Sequence, residues 1–151
     1  MIELETDKLT ALVRQKRDLL IRFREMGQRQ LQLVCEGSMG QLLDVLAAKQ
    51  RLLDALERVE RWLDPFRGQD PGTRQWRSAE ARDACAELLD ECERLLHVTV
   101  QQERESEAAL MVRRDEAAER LQNAHLADQA RGAYARGGAG PIRQLDLTSE
   151  Y

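Results

Sequence analysis

A chain of 151 residues with 33% charged and only 4% aromatic side chains has room for one domain but too little aromatic bulk for a compact globule. Elongated helices held by a narrow leucine seam are therefore expected. A net charge of −4 and a pI near 5.3 argue against a general nucleic-acid footprint. No apolar run approaches the roughly 20 residues that span a bilayer. The start, Met1-Ile2-Glu3-Leu4-Glu5, lacks the basic-then-apolar order of a signal peptide, so a cytoplasmic location is expected.

The first helix is expected over residues 6–36, with Thr6 or Asp7 as N-cap. Leu9, Leu12, Leu19, Phe23, Met26 and Leu33 recur at steps of three and four, with Lys16 and Gln30 in the remaining slots, and Val13, Leu20 and Val34 widen the stripe to that of a bundle helix. Gly37 stops this helix and Ser38 is placed to cap the next. So short a turn joins antiparallel neighbours. The second helix, 38–64, carries Leu42, Val45, Lys49, Leu52, Leu56, Val59 and Leu63 and ends at Asp64-Pro65. Lys16 and Lys49 occupy seam slots and have two readings. They lie along the seam edge with the ammonium in water, or they fix helix register. A hairpin symmetric about Gly37 sets Lys49 level with Glu25. The basic residues Arg14, Lys16, Arg17, Arg22, Arg24 and Arg29 have no interleaved aromatics and read as a solvated face.

Residues 64–77 hold two prolines and two glycines and read as a loop bracketed by Trp62, Phe66 and Trp76. Those aromatics either plug the open end of the bundle or anchor a partner. The third helix is expected over 78–131, capped by Ser78 and about 80 Å long. Ala81, Cys85, Leu88, Cys92, Leu95 or Leu96, and Thr99 make a strong front stripe. Val98-Thr99-Val100 is its weakest stretch. Residues 132–151 are glycine-rich and read as a flexible tail, in which Ile142, Leu145 and Leu147 form a candidate docking motif. The expected fold is thus all-α: a helical hairpin plus a long third helix, an elongated three-helix bundle or coiled coil over 1–131, followed by that tail.

Nothing in the chain suggests catalysis. There is no phosphate-cradling glycine loop, CxxC or HExxH. His97 and His125 stand about 42 Å apart along one helix, too far to share a metal. Neither cofactor nor metal is expected, and an enzyme is not. Cys85 and Cys92 are too far apart along one helix to bridge, so all three cysteines, Cys35 included, read as reduced, buried and apolar.

Length supplies the functional clue. The third helix, running beside the first, draws level with Gly37 at about residue 106. The segment beyond carries Ala108, Leu110, Met111, Val112, Ala117, Ala118, Leu121, Ala124 and Leu126 with no obvious partner in the chain. It should fold back, dimerise, or take up a helix from another protein.

LVRQKRDLLIRF (Leu12–Phe23), followed by CEGSMGQLLDVLAAKQRLLDAL (Cys35–Leu56), the long third helix and the glycine-rich tail, resembles the FlgN family of flagellar export chaperones over roughly residues 6–135. The resemblance implies a cytoplasmic chaperone that binds the C-terminal helical region of hook-associated proteins. Such a protein keeps them unassembled and delivers them to the export gate or its ATPase. It also implies that the C-terminal part contacts the client, which places the site here at Leu110, Met111, Ala117, Leu121 and Ala124. The loop at 64–77 and the ending LDLTSEY depart from the family pattern. The competing readings are a self-associating coiled-coil adaptor or stalk component that forms a homodimer, a nucleic-acid-binding arm, and a sister chaperone serving another export substrate.

Overall fold

The computed structural model describes residues 2–137. Three α-helices, α1 (Glu5–Glu36), α2 (Met39–Arg67) and α3 (Ala79–Gly137), are joined by the Gly37 turn and by a loop with a 3-10 turn at Pro71–Thr73. No strand occurs among the described residues. Residues up to Leu110 form one compact unit and those from Met111 a second.

Gly37 sits at φ 77°, where only glycine is unstrained. Its own N–H and that of Ser38 donate to Val34 and Leu33 carbonyls at 3.2 and 3.0 Å, closing α1 with the double bond typical of a glycine C-terminus. Ser38 precedes α2 without a side-chain cap bond. Ser78 does cap α3, accepting at Oγ from Ala81 N at 3.0 Å. At the start of α1 the cap differs from expectation. The helix begins at Glu5, the Asp7 carboxylate accepts from Leu4 N at 3.0 Å, and Thr6 instead donates to the Gln75 carbonyl at 2.7 Å.

Polar bridges fix the directions of the helices within the first unit. Lys16–Glu60 at 2.7 Å and Lys49–Gln30 at 2.5 Å pair early α1 with late α2 and the reverse, so α1 and α2 run antiparallel. Asp7–Arg77 at 2.7 Å, Cys92 Sγ to Val13 O at 3.7 Å and Gln102 Nε2 to Arg24 O at 3.1 Å rise together, so α3 runs parallel to α1.

Two apolar clusters fill the first unit. The larger joins Leu9, Val13 and Leu20 of α1, Val59, Leu63 and Phe66 of α2, and Cys85, Leu88, Cys92 and Leu95 of α3. The smaller joins Leu33, Val34 and Leu42, with Val45, Ala109 and Leu110 half-buried against them. Between the clusters lies a polar layer. There the Lys49 ammonium meets Gln30 Oε1 and the Glu103 carboxylate and lies 4.6 Å from the centre of the Phe23 ring. Burial pushes the Lys49 pKa down.

Several expectations need correction. Lys49 is buried, and its partners are Gln30 and Glu103, not Glu25, because α3 covers the hairpin at that level. The α1 stripe is wide: Leu9, Phe23, Gln30 and Leu33 are buried together with Val13, Leu20, Gly27 and Val34, while Leu12, Leu19 and Met26 are half-buried, since α1 packs against two neighbours. Cys35 is exposed, one residue short of the end of α1. The second helix does not stop at Asp64. Phe66, held in the larger cluster, carries it past Pro65 to Arg67. The third helix does not stop at Arg131 but continues to Gly137. The tail residues 138–151, with Ile142, Leu145 and Leu147, lie outside the described residues.

Candidate functional site

The second unit consists, among its described residues, of α3 from Met111 to Gly137. The sequence here is rich in Ala, Arg, Glu and Gln, all strong helix formers. Side-chain pairs along the helix add a little local support, Arg131–Asp128 at 2.9 Å and Arg113–Glu116 at 3.7 Å. Arg131 also holds the Asp128 carboxyl below its ordinary range. None of these described residues is buried. Leu121 is 72% exposed and Val112 55%, which leaves large apolar side chains in water. Isolated exposed leucines are ordinary on protein surfaces. A run of them on a segment with no buried residue is not.

The helix sorts the expected site residues. At about 100° per residue, Ala117, Leu121 and Ala124 of the second unit fall on one face, within about 60° of each other. Met111 stands about 80° or more from each of these and is not on that face. Leu110 differs from the rest because it belongs to the first unit, half-buried against Leu33, Val34 and Leu42. Ala117, Leu121 and Ala124 are exposed. The face is narrow and built of small side chains around one leucine, a surface that lets a second helix approach closely.

No family model, curated protein or solved structure matches the chain. The chemistry of its surfaces is therefore what bears on function. Among the described residues no group of His, Cys, Asp and Glu side chains is arranged to hold a metal ion, and no helix is long and apolar enough to cross a membrane.

A further apolar surface lies in the first unit, between α2 and α3. Leu53 and Leu56 of α2 and Leu96 of α3 line a shallow depression of about 400 Å³ over Leu20, edged by Lys16, Glu57, Glu60 and Arg61. Leu89 and Val100 are exposed nearby in sequence on α3. The sequence signal for this surface was the set of leucine doublets. In Leu42-Leu43, Leu88-Leu89 and Leu95-Leu96 the first leucine is buried and the second exposed, because one helix position cannot turn two adjacent side chains into the same seam. Of these exposed leucines Leu96, which the spacing leaves as an alternative to Leu95, lines the depression. At the Glu60 rim, burial acts to raise the carboxyl pKa, but hydrogen bonds from Lys16 and Arg67 outweigh it and hold the group below its ordinary value.

The three loop aromatics divide. Phe66 is core and Trp76 packs against it, so these two close the end of the first unit. Trp62 is 55% exposed and borders a surface hollow with Leu19, Arg22, Arg58 and Val59.

Proposed function

We propose that this protein is a helix-holding chaperone of the flagellar export type, and that the distal half of α3 takes up a helical C-terminal segment of a hook-associated protein. The observation that carries this reading is the unburied segment Met111–Gly137, with Leu121, Met111, Val112 and Leu126 all exposed. The sequence resemblance to FlgN-type chaperones supplies the class of client. A client helix laid along the Ala117–Leu121–Ala124 face gains the burial that the chain's own described residues do not provide there. On that face Leu121 is the one large apolar side chain; fully covered it contributes about 1.5–3 kcal/mol, and client side chains seated over Ala117 and Ala124 supply the rest of the buried surface. Delivery to an export gate or its ATPase belongs to the same reading, as does a cytoplasmic location.

Calorimetric titration of the full chain with hook-associated C-terminal segments tests this. The wild-type chain binds and Leu121→Asp loses at least about tenfold in affinity, since an aspartate cannot be buried unpaired. Absence of binding by the wild-type chain, or equal binding by Leu121→Asp, overturns the assignment.

A second reading, self-association as a coiled-coil adaptor, is favoured by the apolar depression at Leu53, Leu56 and Leu96. Under it the purified chain is a dimer at micromolar concentration and Leu96→Asp makes it a monomer. A wild-type monomer by sedimentation excludes that reading.

A further inference from the structure

The smaller apolar cluster is unevenly built. The hairpin supplies Leu33 and Val34, both fully buried, together with Leu42. From α3 it receives only Ala109 and Leu110, both half-buried. The larger cluster, by contrast, receives four buried apolar side chains from α3: Cys85, Leu88, Cys92 and Leu95. The α3 turns leading to the smaller cluster are poorly matched to what they cover. Ser106 is 1% exposed, and its Oγ has no hydrogen-bond partner. Gln102 donates to the Arg24 carbonyl but leaves its own buried Oε1 unpaired, against Gly27. Glu103 is tied to the buried Lys49 while its own side chain is 48% exposed. Each buried unpaired polar atom is a standing cost, and a polar layer separates this end from the main core. Segments with few apolar contacts open below the global unfolding free energy.

We propose that the hairpin end from Gly27 to Val45, with Leu33, Val34 and Leu42 at its centre, is a helix-docking groove, and that α3 from Gln102 to Leu110 is its weak, displaceable occupant. The replacement is an amphipathic partner helix with leucine-sized side chains where α3 presents Gln102, Ser106 and Ala109. Such a helix fills the groove without stranding polar atoms. This rests on the helix-holding reading above and adds to it a second, covered part of the client site and a gate that uncovers it.

Amide hydrogen exchange on the full chain, alone and with a hook-associated C-terminal segment, tests the proposal. In the free chain, residues 27–45 and 102–110 exchange at least about tenfold faster than residues 9–20 and 85–95. Adding the segment protects 27–45. Two variants separate displacement from ordinary fraying at a helix end. Ser106→Ala and Gln102→Met remove the stranded polar atoms from the built-in occupant, so they slow exchange at 27–45 and slow client uptake several-fold. Equal protection of both clusters in the free chain, or variants that slow exchange while leaving uptake unchanged, overturns the proposal. If the wild-type chain takes up no segment at all, the helix-holding reading falls and this proposal with it. If it takes one up with 27–45 no better protected, only this proposal falls.

Discussion

Replacing Lys49 by Met tests whether the polar layer is a weak point of the first unit. The lysine side chain is 6% exposed, and its ammonium is held by Glu103, whose side chain is 48% exposed, and by Gln30 Oε1 at 2.5 Å. Removing the ammonium leaves Gln30 without that partner, a cost of about 1–3 kcal/mol, and forfeits about 1 kcal/mol of attraction to the Phe23 ring. Against this, burying an ammonium carries an effective penalty of several kcal/mol, which an apolar side chain of like volume does not bear. Glu103, half in water already, rehydrates at little cost. The balance is a net stabilisation of about 1 kcal/mol. In urea denaturation it appears as a higher midpoint at unchanged slope. Glu103→Gln, which keeps the ammonium but weakens its partner, is expected to destabilise by about 1–2 kcal/mol. A loss of more than about 2 kcal/mol on Lys49→Met would refute the reasoning, because the lysine would then be a net source of stability.

Leu33→Ala removes a fully buried side chain at the hairpin end and should cost about 2–5 kcal/mol in the same assay, whereas Leu121→Asp, on a site 72% exposed, should stay within about 0.5 kcal/mol of wild type. Gly37→Ala forces a side chain into φ 77° and should lower stability by about 1–2 kcal/mol, visible as a drop in Tm. The Lys49 pKa is lowered in the folded state by burial, so between that value and the ordinary lysine range the unfolded chain binds more protons. Stability from this group therefore rises with pH across that window, and its deficit is complete below it. The stability difference between Lys49→Met and wild type should accordingly shrink as pH approaches the ordinary lysine pKa, as followed by urea midpoints.

Much of the helical framework could be read from spacing and punctuation. Gly37 and Ser78 announce their helix ends through backbone chemistry that few other residues satisfy. Cys85, Leu88, Cys92, Leu95 and Thr99 keep a single stripe because this part of α3 buries one face. On α1 the wide stripe is legible too, with Val13, Leu20 and Val34 beside Leu9, Phe23 and Leu33; with neighbours on two sides, periodicity alone does not say that Leu12, Leu19 and Met26 are its less buried edge. Pro65 signals a stop because its nitrogen cannot donate a helical hydrogen bond. Tertiary packing of Phe66 decided the matter instead.

The surfaces were less legible than the core. That Leu121 would lack company follows from counting rise per residue against the length of α1, and its exposure agrees with that count. Leu110 escaped the count because the first unit reaches it rather than closing near residue 106, so one expected site residue is partly core. The polar layer could not be read at all. Lys49 signals itself as a lysine in a leucine seam, but Glu103 lies 54 positions away on another helix, and only the register of α3 against the hairpin brings them together.

The central question for this protein is whether the far part of α3 waits for another helix. Amide exchange over Met111–Gly137, followed in the free chain and after saturation with a hook-associated C-terminal segment, addresses this most directly. Fast exchange when free and strong protection centred on Ala117, Leu121 and Ala124 when bound is the result predicted. Slow exchange in the free monomer, or no change on saturation, would contradict it.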